Sequence, residues 1–126
     1  RKQKTDEEAS IMIESDIQNQ IRVALSPHGI VFRTNAGDFW QGKRVYYPPL
    51  HEDILIHLRR VQGLPQGFPD LLYCGFDGQA GFIEVKRPHG AVREAQRNFI
   101  ALMRGYGYPA GIARSPEEAL RIIVAR

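Results

Sequence analysis

Gly67-Phe68-Pro69-Asp70-Leu71-Leu72-Tyr73-Cys74 and, shortly after it, Gly81-Phe82-Ile83-Glu84-Val85-Lys86 are the two runs on which the fold turns. Both are mostly apolar and β-favouring, and Asp77-Gly78 between them carries hairpin-turn chemistry, so they are predicted to pair as antiparallel strands. Side chains alternate along a strand, which puts Glu84 and Lys86 on one face and Ile83 and Val85 on the other. Pro69 falls at a strand start, where a missing N–H is tolerated, and brings in Asp70. Charge on strands that otherwise read as buried is costly unless it is paired or binds a metal. The placement raises the expectation of a metal-dependent centre.

Working back towards the N-terminus, Gly63-Leu64-Pro65-Gln66-Gly67 is a loop rich in breakers. The apolar positions of residues 50–61 fit helical and extended templates alike, so the type of this segment stays open, with strand preferred. Before it, Phe39-Trp40 and Val45-Tyr46-Tyr47 flank Gln41-Gly42-Lys43-Arg44, which reads as a hairpin carrying aromatics and two cations. Such interleaving suits unstacked bases or a phosphate backbone, and equally an aromatic hairpin packed on its own sheet. Gly29-Ile30-Val31-Phe32-Arg33-Thr34-Asn35 is a first strand, closed by Ala36-Gly37-Asp38. Ahead of it, Ile13, Ile17, Ile21 and Leu25 make one apolar stripe of a helix that ends by Ser26-Pro27-His28-Gly29. Thr5-Asp6-Glu7-Glu8 matches a capping box, with residues 1–9 expected to fray. Glu14 lies on the margin of the stripe, where it serves either the helix dipole or a neighbouring cleft.

Beyond Lys86, Arg87-Pro88-His89-Gly90 is a short connection to a second amphipathic helix with Val92, Ala95, Phe99, Leu102, Met103 and Tyr106, stopped by Gly105 or Gly107. Gln96 falls on its sheet-facing side, whereas Arg93, Arg97 and Arg104 share the outer side and read as a solvated face. Ala110-Gly111-Ile112-Ala113 is a final strand. Ser115-Pro116-Glu117-Glu118 then opens a last helix with an N-cap serine and a proline at its first position. Helices alternating with strands in this order specify an α/β fold with a central mixed β-sheet flanked by helices, in a single domain spanning residues 1–126.

Composition narrows the function classes. The chain has 17 basic and 14 acidic residues, and 13 of the basic ones are arginine, whose bidentate fork suits phosphate and so mildly favours a nucleic-acid partner. The one cysteine, Cys74, excludes an internal disulfide and a cysteine zinc cluster; inside an apolar strand it reads as a small core residue, not a nucleophile. No apolar run approaches the ~20 residues of a membrane span, so a soluble, cytoplasmic protein is expected. The start at Arg1 suggests a processed product or an excised piece. Gly105-Tyr106-Gly107 follows a helix instead of a strand and is rejected as a dinucleotide fingerprint. There is no phosphate loop and no Gly-x-Ser-x-Gly elbow, and the scattered His28, His51, His57 and His89 make zinc chemistry a weak alternative.

A glutamate-x-lysine pair alone is common. Joined to Pro69-Asp70 across a hairpin, with Glu14 on one helix and Gln96 on another, the set resembles the PD-(D/E)XK nuclease superfamily and, more narrowly, the VRR-NUC family. The matching residues are Glu14 with Ile17-Gln18, Gly67-Phe68-Pro69-Asp70, Glu84-Val85-Lys86 and Gln96, and Phe32-Arg33-Thr34-Asn35-Ala36-Gly37 is similar to the family's first strand and turn. The resemblance implies a restriction-endonuclease-like core in αβββαβ order, with an extra C-terminal helix here. It implies a divalent-metal-dependent, structure-selective DNA endonuclease that leaves a 5′-phosphate and a 3′-hydroxyl, acting as a homodimer on four-way (Holliday) junctions or other branched DNA.

Hard carboxylate oxygens suit Mg²⁺ or Mn²⁺ better than zinc. Asp70 and Glu84 are the expected metal ligands, joined by the Val85 carbonyl and, through water or a second ion, by Glu14. Lys86 is expected to stabilise charge and place the attacking water, and Gln96 to orient Lys86 or the nucleophile. Arg33, Lys43, Arg44, Arg87 and Arg93 are candidate contacts to the DNA backbone. The competing readings are a non-catalytic branched-DNA-binding module and a nuclease for flaps, nicks or RNA.

Overall fold

The computed structural model describes the backbone of residues 6–124 and the side chains of residues 14–124. The chain runs α1 (Asp6–Leu25), β1 (Gly29–Arg33), β2 (Asp38–Tyr47), β3 (Glu52–Gln62), β4 (Leu71–Gly75), β5 (Ala80–Val85), α2 (Glu94–Gly105), β6 (Ala110–Ala113) and α3 (Pro116–Ile123). The predicted cap at Thr5-Asp6-Glu7-Glu8 and the side chain of Ile13 lie outside the described part. Four strands form the central sheet in the order β1-β4-β5-β6, with β1, β4 and β5 antiparallel and β6 parallel to β5 after the crossover through α2. This is the mixed α/β architecture expected, with β2 and β3 set apart as a two-stranded ribbon.

Alternation decides what each sheet face holds. Val31, Leu71, Tyr73, Ile83 and Val85 point to one face and bury against Ile17, Ile21 and Leu25 of α1 and Ala119 and Ile123 of α3. Fully burying each such aliphatic side chain is worth roughly 1.5–3 kcal/mol, so this layer carries much of the stability. Gly81 makes the close approach of α3 feasible, because a Cβ there would stand 2.5 Å from Ile123 Cδ1. On the opposite face α2 covers β5 through Phe68, Phe82 and Phe99, whose ring centroids lie 4.9–6.0 Å apart, with Tyr108 edge-on to Phe82 at 5.7 Å.

Three sequence expectations are corrected. The chain does not turn at Gln41-Gly42-Lys43-Arg44: β2 runs straight through it, the reversal falls at the 3-10 turn Pro48–Leu50, and residues 52–62 return as the partner strand. Gly42 sits at an irregularity in the pairing, where a Cβ would meet Ile56 O at 2.8 Å, so it marks a bulge and not a turn. Cys74 is exposed, because α2 covers β5 and leaves the same face of β4 and β1 open. In α2, Ala95 and Leu102 face solvent, as does Tyr106 at its C-cap, and the covered stripe is Gln96, Phe99, Ile100 and Met103.

Candidate active site

Three elements deliver the site. The strand pairing sets Leu71 opposite Ile83 and so brings Asp70, one residue before β4, beside the end of β5. Asp70 Oδ2 accepts a hydrogen bond from the Val85 N–H at 2.9 Å, which ties the carboxylate to the backbone between Glu84 and Lys86. Glu84 shares its face with Phe82 and Lys86, as alternation requires, and is 2% exposed. Its Oε1 accepts from Gln96 Nε2 at 2.8 Å and lies 3.7 Å from Lys86 Nζ. Its Oε2 is buried without a hydrogen-bond partner among the described residues.

Gln96 does two jobs. Its Oε1 accepts the Arg93 N–H at 2.9 Å, closing the first turn of α2, and this fixes the amide so that its NH₂ group points at Glu84. The amide thus orients a carboxylate directly.

Burial pushes the Glu84 carboxyl up to about 8, aided by the charge of Asp70 and opposed by the Lys86 ammonium. An orphaned, desolvated carboxylate oxygen next to a second carboxylate is an arrangement that a divalent cation relieves. Both ligands are hard oxygens, which fits Mg²⁺ or Mn²⁺ chemistry. The residues present therefore fit such an ion.

Asp70, Glu84, Lys86 and Gln96 are brought together as the sequence predicts. Glu14 lines a cavity with Ser15, Gln18 and Arg33 at the C-terminal end of β1, and among the described residues no group of three or more His, Cys, Asp or Glu gathers round one point. Lys43 and Arg44 stand on the ribbon, with Arg44 in an exposed ion pair to Asp53 at 2.6 Å, while Arg87 and Arg93 lie on the connection between Lys86 and α2.

Two positioning residues escape the sequence reading. Thr34 hydrogen-bonds the Pro69 carbonyl through its hydroxyl, and its N–H donates to the Asp70 carbonyl at 2.8 Å, so the end of β1 grips the backbone on which Asp70 sits. Arg114 Nη1 donates to the carbonyls of Arg87 at 2.7 Å and Gly90 at 3.0 Å, pinning the loop between Lys86 and α2. Thr34 falls in the run that resembles the family's first strand and turn, but its role shows only in its neighbours across the fold, and nothing in the local pattern marks Arg114.

A mixed sheet flanked by helices, with two carboxylates on adjacent strands and a lysine two residues past the second, defines a restriction-endonuclease-like nuclease core. The chain belongs to the VRR-NUC family: the family model, described as the VRR-NUC domain, matches residues 12–117. It is a nuclease-type domain acting on DNA. No curated protein matches the sequence. Among the described residues, no helix is long and apolar enough to cross a membrane.

Proposed function

We propose that the chain is a divalent-metal-dependent, structure-selective DNA endonuclease that acts as a homodimer on four-way junctions or other branched DNA. The observation that carries this reading is the Asp70–Glu84–Lys86–Gln96 group, in which a buried glutamate oxygen has no hydrogen-bond partner among the described residues.

Asp70 and Glu84, with the Val85 carbonyl and Glu14 through water, would hold Mg²⁺ or Mn²⁺; such an ion supplies Lewis acidity to the scissile phosphate and makes its bound water more acidic. Lys86 brings a cation to the edge of the carboxylates, where it offsets the charge that builds on the phosphoryl oxygens and positions the attacking water. Gln96 keeps Glu84 in one rotamer, so no reorientation is needed when substrate arrives. Thr34 and the Val85 N–H do the same for Asp70. Arg87 and Arg93 flank the group, and Arg33, Lys43 and Arg44 extend the basic surface for phosphate contacts. Symmetric cutting of a branch point calls for two centres related by a two-fold axis, and one chain supplies one, hence the homodimer.

The test is to incubate four-way junction, flap, duplex and single-stranded DNA with Mg²⁺, Mn²⁺ or EDTA, beside Asp70→Asn and Lys86→Ala. Cleavage is expected with either metal, greatest on branched DNA, and absent with EDTA or either variant. Persistent binding without cleavage of any DNA in both metals would leave a non-catalytic module as the correct reading.

A further inference from the structure

The central sheet ends at β1, and among the described residues no strand pairs its outer edge. Thr34 donates its N–H to Asp70 O, and His28 O accepts from Phe76 N, so residues 28 and 34 turn their backbone groups towards the β4 side. Alternation then points the N–H and C=O groups of Gly29, Val31 and Arg33 outward. Edges are usually protected by proline, a bulge or inward-pointing charge. β1 has none of these devices except Arg33 at its last position. Its outer face is also sticky: Ile30 and Phe32 are 53% and 51% exposed. Along the same edge, β1 and α1 border an open groove of about 610 Å³ lined by Val23 and Phe76, which are 73% and 69% exposed, and by Arg22 and Ser26.

We propose that a second copy of this chain pairs with that edge, β1 to β1 antiparallel, about a two-fold axis at Val31. The strand is complementary to itself in this register. Gly29, Val31 and Arg33 meet the partner's Arg33, Val31 and Gly29, so every outward N–H and C=O finds its counterpart. Ile30 faces the partner's Phe32 and Phe32 the partner's Ile30, which closes four apolar side chains over the open face of the sheet. The two Arg33 residues fall at opposite ends of the seam and do not repel. A foreign strand could satisfy the hydrogen bonds; the chain's own copy in addition sets apolar Ile30 and Phe32 against apolar positions and leaves each Arg33 opposite Gly29, which favours the copy. Val23 and Phe76 add apolar surface beside the seam, which a five-residue strand needs to approach the ~800 Å² per partner of a stable interface.

The inference deepens the homodimeric nuclease reading and rests on it for its functional consequence. An axis of this kind stands perpendicular to the sheet, so both Asp70–Glu84–Lys86 groups open on one face. Strand spacing and rise per residue put them roughly 25–30 Å apart, one on each side of the axis, as paired cutting of a branched substrate requires.

The test uses the full chain. In a Cys74→Ser background, the double variant Ile30→Cys/Phe32→Cys is oxidised mildly. A pair of this type brings Cα atoms to about 4.5 Å, within disulfide range, whereas positions 30 and 32 of one strand cannot bond each other. Most chains are expected to run as covalent dimers on a non-reducing gel, and either single variant alone is not. Sedimentation equilibrium of Ile30→Lys, a change at an exposed position with circular dichroism as the control for folding, is expected to show a dimer dissociation constant raised at least about tenfold. A monomeric wild type, a dimer indifferent to Ile30→Lys, or a double variant that fails to cross-link overturns the proposal. Junction cleavage by the wild type is recorded in parallel. A β1 dimer that cuts no DNA would retain the seam and refute the nuclease reading; cleavage by a protein that Ile30→Lys leaves unchanged in mass would do the reverse.

Discussion

Glu84 is strained electrostatically and anchored geometrically, and the two conditions make different measurements. Its carboxyl ionises near pH 4.5 in an unfolded chain and is pushed up to about 8 by burial in the folded one. Between those values the folded state holds the extra proton, so stability falls as pH rises, by at most about 1.4 kcal/mol per pH unit from this group. For the metal-free protein we expect Glu84→Gln to melt higher than wild type at pH 8 and to flatten the decline between pH 5 and 8, read by calorimetry. Added Mg²⁺ should raise the wild-type melting temperature more at pH 8 than at pH 6, because binding must displace that proton, and should leave Glu84→Gln unmoved. An identical pH profile for the two proteins would refute the account. Thr34 is the subtler case. Thr34→Val keeps the backbone bond to Asp70 and loses the hydroxyl bond to Pro69, and we predict a kcat lowered about tenfold with DNA affinity within about threefold. Equal losses in both would make Thr34 merely structural. Asp70, Glu84, Lys86 and Gln96 were legible in the sequence because strand alternation and helical spacing determine which way each points. Thr34 and Arg114 were not, since each acts through backbone carbonyls 35 and 27 residues away in the chain.

Among the elements, α2 shows how a motif glycine acts at a distance from the chemistry. Gly67 has φ +87°, and a Cβ on it would lie 2.5 Å from the Ala95 carbonyl oxygen. That contact lets the loop before Pro69-Asp70 nest against the first turn of α2, one residue from Gln96. Gly67→Ala should therefore push α2 off its seat and break the Gln96–Glu84 bond. We predict a destabilisation of about 1–3 kcal/mol in urea unfolding, together with a fall in kcat larger than that of Gln96→Ala, since Asp70 is displaced as well. A stability change without an extra activity loss would show that the glycine serves packing alone. The first helix and the core strands were readable because their apolar periods matched their burial, whereas in α2 half of the apolar positions turned out to face solvent. The turn in the ribbon was misplaced because Gly42 with Lys43 and Arg44 has turn chemistry, whereas its actual role is to leave room at a bulge opposite Ile56. Cys74 was misplaced because pattern alone does not say how far α2 extends over the sheet.

For the molecule as a whole, the ribbon of β2 and β3 poses the question that the core does not answer. None of its side chains belongs to the buried core, and a two-stranded hairpin is marginally stable alone. Its root is nonetheless a clean joint: Gly37 N donates to Leu64 O at 2.8 Å and Gly63 N to Gly37 O at 2.9 Å, so the two ends meet. Replacing residues 38–62 with a short glycine linker should therefore close without distorting β1 or β4, and the melting temperature should move by only a few degrees. The ribbon lies outside the β1 seam, so the dimer should persist in sedimentation. Its cations are unequal, for Arg44 and Arg60 are engaged by Asp53 and Asp38, and Lys43 enters no ion pair with a described residue. If Lys43 and Arg44 contact phosphates, deleting the ribbon should flatten the slope of log affinity against log salt by about 2, at roughly 0.9 per phosphate contact. The expected phenotype is a folded, dimeric, metal-binding protein that still cuts at high DNA concentration and low salt but has lost affinity for branched substrate. A deletion variant with the wild-type salt slope would remove Lys43 and Arg44 from the DNA interface and leave the basic surface to Arg33, Arg87 and Arg93.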